Sequence, residues 1–151
     1  MSKSLSRKEL RELKRLAGFS CEYCRSQARF AMQSFSVEHI TPKSRGGATT
    51  LKNAAYACQG CNNHKYNKTE GIDPATDKLA LLFHPRRDKW SDHFTWSDDF
   101  SLIIGLTPTG RATVDTLQLN RERLVNLRRV LYPAGEHPPA APGDESMLDE
   151  E

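Results

Sequence analysis

Cys21-Glu22-Tyr23-Cys24 and, further on, Cys58-Gln59-Gly60-Cys61-Asn62-Asn63-His64-Lys65 bracket the stretch that decides how this chain folds. These two C-x-x-C pairs hold all 4 cysteines of the chain. Paired thiolates at this spacing suit one tetrahedral zinc site, and without an export signal they favour a metal over two disulfides. The 33 residues between the pairs exceed what a plain zinc ribbon needs, so something is built inside the loop. That interval holds Val37-Glu38-His39-Ile40-Thr41-Pro42, then Gly46-Gly47, then Asn53.

At 151 residues there is room for one domain with a modest core, or a small domain with an extension. Apolar residues make up 37% and the mean hydropathy is −0.66, with no run of transmembrane length. Met1-Ser2-Lys3-Ser4 is basic but no apolar stretch follows it, so a secretory signal is not expected and the expected location is cytoplasmic. Charge is unevenly spread. Residues 1–72 carry 13 Lys/Arg against 5 Asp/Glu, and residues 73–151 carry 9 against 14. The cysteine-bearing half therefore reads as the half that faces a polyanion, although the same lysines and arginines could simply solvate a small domain.

Residues 6–17 predict a helix capped by Ser6 with Glu9 in the capping box, Leu10, Leu13, Leu16 and Ala17 on one stripe, and Gly18 ending it. It can lie on a phosphate backbone or serve as a packing helix with a solvated basic face. Residues 29–40 predict a strand ending near Ile40. Pro42 and Gly46-Gly47 then predict a loop over 41–52, and a short helix is expected over 61–68. Asp73-Pro74 predicts a connector, and Leu79-Ala80-Leu81-Leu82-Phe83 a packing segment. Phe94-Thr95-Trp96 and Leu102–Leu106 predict a hairpin. Thr107-Pro108 predicts an N-cap and first turn of a helix reaching Leu117. Asn120 predicts the cap of a helix to Leu131, with Leu124, Leu127 and Leu131 inside and Arg121, Arg123, Arg128 and Arg129 outside. Residues 133–151, rich in Pro and acids, are expected to be disordered. The fold class is α+β, organised as a 1–72 core, a 73–132 extension and the tail.

Hydrolysis of a phosphodiester needs a base for water, an electrophile for the phosphate and donors that hold the substrate. Glu38 and His39 are adjacent at a strand end, so their side chains point to opposite faces and serve different roles. Glu38 suits a hard oxygen ligand for a divalent ion, His39 the group facing the attacking water, and Asn62 a second oxygen ligand for Mg²⁺ or Mn²⁺. His64 is an alternative ligand. Asn62 is preferred because Lys65, three residues on, shares its helix face whereas His64 does not.

The string E-H-I-x-P-x-x-x-G-G, then Asn, then C-x-x-C-N-x-x-K resembles the HNH endonuclease family, in its zinc-stapled branch with paired knuckles. The resemblance covers about residues 19–68 and implies a ββα-metal finger (the His-Me finger), in which a hairpin and a helix clasp one catalytic divalent ion. On that resemblance His39 is the general base and Glu38 the acidic metal ligand. Asn53 fixes the hairpin loop and orients the base. Asn62 stands where many members carry a metal-binding His, making this an H-N-N variant. Cys21, Cys24, Cys58 and Cys61 would hold a structural Zn²⁺, with Mg²⁺ or Mn²⁺ the catalytic ion. Lys43, Arg45, Lys65 and Lys68 would face DNA, expected to be double-stranded. Leu82 to Pro139 also resembles an extension attached to bacterial members. The competing reading is a zinc-stapled nucleic-acid-binding module in which Glu38 and His39 are incidental. Trp90 and Trp96 suit core packing better than base stacking.

Overall fold

The computed structural model describes residues 4–140. The first helix, α1 (Arg7–Ala17), is fixed at both ends. Ser6 Oγ accepts from Glu9 N at 3.1 Å while Glu9 Oε1 accepts from Ser6 N at 3.0 Å, and Gly18 closes the helix at φ 64°. Its buried Leu13 and Ala17 pack with Ala54 and Tyr56 in a small core, while Arg7, Lys8 and Arg11 stay exposed.

Strands β1 (Ser36–His39) and β2 (Ala54–Ala57) form an antiparallel hairpin that pairs Glu38 with Ala55 and His39 with Ala54. Helix α2 (Gln59–Lys65) follows directly, with the Cys58 sulfur accepting from Cys61 N at its start. The ββα order expected from the sequence is therefore present. Its boundaries are tighter: the strand runs only over 36–39, because 28–30 form a 3-10 turn, and the helix begins at Gln59 and stops at Lys65.

A second hairpin, β3 (Glu70–Asp73) with β4 (Lys78–Leu81), replaces the expected connector. Asp73 makes its turn: Oδ1 accepts from Ala75 N at 3.0 Å, Oδ2 from Thr76 Oγ1 at 2.9 Å, and Arg111 grips both oxygens at 2.9 Å. Leu79 and Leu81 are exposed, while Leu82 and Phe83 of that apolar run are buried in the core and Ala80 packs against it. After the one-turn α3 (Trp90–His93) comes the expected hairpin, β5 (Phe94–Trp96) with β6 (Ile103–Gly105). Helix α4 (Pro108–Leu117) starts as predicted, Thr107 Oγ1 accepting from Gly110 N at 3.0 Å. Helix α5 (Glu122–Leu131) is capped by Arg121 rather than Asn120, whose amide is spent on both backbone groups of Ile103.

The main core runs through both knuckles and the extension alike: Cys21, Tyr23, Cys24 and Cys61 share it with Phe83, Phe94, Ile103, Leu117 and Leu124. Trp90 packs at 5.0 Å from Phe94 and 5.6 Å from Trp96, and its Nε1 donates to Tyr23 O, so it is a packing residue. Two expectations are corrected. Arg128 is buried rather than outside the α5 stripe, and Arg121 turns inward. Residues 133–140 are not disordered: Glu136 O accepts from Gln27 Nε2 at 2.6 Å, and buried His137 Nε2 meets Phe100 O at 2.8 Å. The remainder of the acidic tail, 141–151, lies outside the described residues, as do 1–3. No helix among the described residues is long and apolar enough to cross a membrane.

Candidate active site and metal centre

Two tight turns bring the four cysteines together. In the first knuckle Cys21 N donates to Ser26 O and Arg25 N to Cys21 O, and in the second α2 starts at Cys58. The four sulfurs lie within 4.8 Å of one another, and the Cys24–Cys58 pair stands at 3.7 Å. None is in a disulfide. Tetrahedral zinc with Zn–S bonds of about 2.3 Å sets its sulfurs about 3.8 Å apart, so the cluster fits one such ion with no position left open.

The hairpin turn between β1 and β2 is locked by Asn53. Its Oδ1 accepts from Thr41 N at 2.8 Å, and its Nδ2 donates to Thr41 O at 2.9 Å and Ala48 O at 2.8 Å. Gly47 lets this happen: a Cβ there would sit 1.7 Å from Thr41 O and 2.9 Å from Asn53 Nδ2. The loop so fixed carries Thr49, whose hydroxyl lies 3.0 Å from His39 Nε2. Asn53 makes no hydrogen bond to His39 among the described residues and acts on it through the loop, and Thr49 is a partner that sequence reasoning missed. His39 is half-buried; that partial burial, with the nearby Lys43 charge, holds its pKa below the usual imidazole value.

Glu38 points the other way, as strand alternation requires, and is buried. Tyr23 Oη donates to its Oε1 at 2.5 Å and Lys65 Nζ to its Oε2 at 2.9 Å, while Lys65 also donates to Ile40 O at 2.8 Å. Burial pushes the Glu38 carboxyl above its usual range, against the opposing pull of Lys65 and Tyr23. The expectation that Lys65 faces DNA is therefore corrected: its side chain is only 1% exposed and serves Glu38. The signal was in the sequence, because Lys65 shares the α2 face of Asn62. Asn62 is half-buried and makes no side-chain hydrogen bond among the described residues, and His64 is exposed. Lys43, Arg45, Lys52 and Lys68 are exposed, Lys43 close enough to act on His39. A carboxylate and an unengaged amide fit a hard divalent ion in donor type, but Glu38 has both oxygens engaged.

A cavity of about 520 Å³ lies elsewhere, between Leu16, Arg25, Arg86, Trp90, Trp96 and Pro139, and includes none of these site residues. No curated protein and no solved structure matches the chain. With both knuckles, the Glu38-His39 strand end, the Asn53 clamp and Asn62 inside its bounds, the stretch 21–68, roughly a third of the chain, matches the model of the HNH endonuclease family.

Proposed function

We propose that the chain is a metal-dependent endonuclease that hydrolyses DNA phosphodiester bonds. The observation that carries this reading is His39: a half-exposed imidazole with a lowered pKa, held by Thr49 on a loop that Asn53 clamps, beside exposed Lys43. A neutral imidazole in that position can take a proton from water. Lys43, Arg45 and Lys68, all exposed, would supply positive charge for a duplex backbone. When bound, Mg²⁺ or Mn²⁺ supplies a positive charge for the phosphate and its leaving oxygen. Glu38 and Asn62 are the residues that would hold it, and Glu38 must first release Lys65 from Oε2. On this reading the cysteines hold a structural Zn²⁺ that takes no part in the chemistry, and thiolates of this kind suit a reducing cytoplasm.

The engagement of both Glu38 oxygens favours a second reading, a nucleic-acid-binding module without catalysis. Plasmid nicking separates the two. Supercoiled plasmid is incubated with the zinc-loaded protein in Mg²⁺ or Mn²⁺, with and without chelator, beside His39→Ala. The endonuclease reading expects metal-dependent nicking that His39→Ala lowers by about 10²–10⁴. Plasmid retention without nicking, or nicking by folded His39→Ala at the wild-type rate, overturns it.

A further inference from the structure

Arg121, at the junction of α4 and α5, reaches across to the second knuckle. Its Nη2 lies 3.4 Å from Cys58 Sγ and its two terminal nitrogens 3.6 and 3.7 Å from Cys61 Sγ. The guanidinium is aimed from behind by the last carbonyls of α4, with Nη1 donating to Leu117 O at 3.2 Å and Gln118 O at 3.1 Å. Gly60 makes the approach possible. A Cβ at position 60 would fall 2.4 Å from Arg121 Nη2 and 2.9 Å from its Cζ, so a side chain there forces the guanidinium to shift from its present place.

The charge balance explains why a cation is wanted. One divalent ion on four thiolates leaves a net charge of −2 in a buried place, which is costly unless compensated. Two more guanidiniums stand around it. Arg25 Nη1 donates to Cys21 O at 3.4 Å and Arg128 Nη2 to Cys24 O at 3.4 Å, and both side chains are buried. Apart from contacts among the cysteines themselves, Arg121 alone among the described residues donates to the sulfurs. Charge-assisted donors to a thiolate disperse its charge and hold its orientation on the metal.

We propose that Arg121 is a positioning residue for the metal centre: delivered by the α4–α5 junction through the gap left by Gly60, it holds Cys58 and Cys61 on the ion and slows its loss. The extension is on this account a lid on the knuckles, with a role that does not depend on whether the chain cuts DNA.

The test uses the full-length zinc-loaded protein and reads zinc transfer to 4-(2-pyridylazo)resorcinol, together with the thiolate-to-metal charge-transfer band of the Co²⁺-substituted form. Arg121→Met is expected to weaken metal affinity by about 10–100-fold and to move the Co²⁺ band to lower energy, because the sulfurs lose their donors. Arg121→Lys, which keeps the charge but not the fork, should fall between. Gly60→Ala should match Arg121→Met, and the two combined should lose no more than either alone. Arg123→Met, on the exposed side of α5, should change nothing. A folded Arg121→Met that holds zinc as tightly as wild type overturns the proposal, as do losses from Gly60→Ala and Arg121→Met that simply multiply. If Arg121→Met does not fold, Gly60→Ala decides: unchanged zinc release and an unchanged Co²⁺ band refute it.

Discussion

Replacing Lys65 with Met tests the inner half of the site. The Lys65 and Glu38 side chains are 1% and 3% exposed, and their contact is 2.9 Å. Met fills much of the volume of the lysine stem but brings no charge, so Glu38 is left buried with Tyr23 as its one side-chain donor among the described residues. Removing one partner of a buried pair costs about 3–5 kcal/mol, since the other charge stays desolvated. Ile40 O loses its Lys65 donor as well. For a chain of this size each kcal/mol moves the melting temperature by roughly 2–4 °C, so a drop of about 6–20 °C is expected. Thermal melts by circular dichroism, with zinc content measured in parallel, read this directly. The loss should depend on pH in a stated sense. Burial raises the Glu38 pKa in the folded protein, and without Lys65 it rises further. A carboxyl that holds its proton more tightly when folded adds stability as pH falls from the folded pKa toward the unfolded value of about 4.3. The Lys65→Met deficit is therefore largest at neutral pH and narrows on acidification. Adding Glu38→Gln should recover part of it, giving a combined loss smaller than the sum. A Lys65→Met protein that melts with wild type at neutral pH refutes the buried pair and returns Lys65 to the DNA-facing set. Lys68→Met, which removes an exposed charge, should leave the melt unchanged while flattening the salt dependence of DNA retention.

Three further outcomes follow from the geometry. His39 has a lowered pKa, so nicking should persist below the free imidazole value of about 6.5 and fail only as pH drops through the lower folded value; Lys43→Ala should move that acid limb upward, and an unmoved limb counts against Lys43 acting on His39. Asn53→Ala removes three hydrogen bonds to the loop and should cost about 1–3 kcal/mol in a urea melt, while Thr49→Val should slow nicking with little loss of stability; equal melts for Asn53→Ala and wild type would show that the clamp does not hold the loop. Truncation after Tyr132 strips the bonds of Glu136 and His137 to Gln27, Arg29 and Phe100, and should lower stability by about 1–3 kcal/mol, with an unchanged melt showing the segment to be dispensable.

Much of the site was legible because its parts are local. The S-x-x-E box, the C-x-x-C turns, Thr107-Pro108 and Gly46-Gly47 each act within a few residues, and each is found where the spacing puts it. Glu38 and His39 fell on opposite faces because strand alternation leaves no choice. What was not legible depends on partners far along the chain. Lys65, Arg121 and Arg128 look like solvent-facing cations in sequence, since a basic residue is ordinarily exposed. They go inside because a buried carboxylate, a cluster of thiolates and unpaired carbonyls wait there. Asp73 misled in the same way. Next to Pro74 it reads as a break, yet Arg111 and Thr76 turn its carboxylate into the corner of a hairpin. His137 and Glu136 were lost in a Pro-rich composition whose average hides two residues with specific partners.

Helix α2 ties these parts into one argument. It has 7 residues, too few to be stable alone in water, so its helical state is set by what holds its ends and faces. The knuckle holds its start through Cys58 and Cys61. The Glu38–Lys65–Tyr23 cluster holds its end, and Tyr23 itself lies between Cys21 and Cys24. Successive residues of a helix turn by about 100°, so Cys61 and Asn62 face different neighbours while Asn62 and Lys65 face nearly the same one. One turn of helix thereby presents Cys61 to the sulfur cluster and Lys65 to Glu38, with Asn62 one turn before Lys65. Losing an ion at the cysteines would free the start of α2 and, with it, the placement of Lys65 against Glu38. The metal centre thus bears on the candidate active site through α2 and through Tyr23 of the first knuckle, without any ligand in common. The basic rim is placed separately: Lys43 and Arg45 ride on the loop that Asn53 clamps, which depends on Gly47 and not on the cysteines. Stripping metal from the cysteines should for that reason disturb the Glu38 cluster before it disturbs the His39 loop.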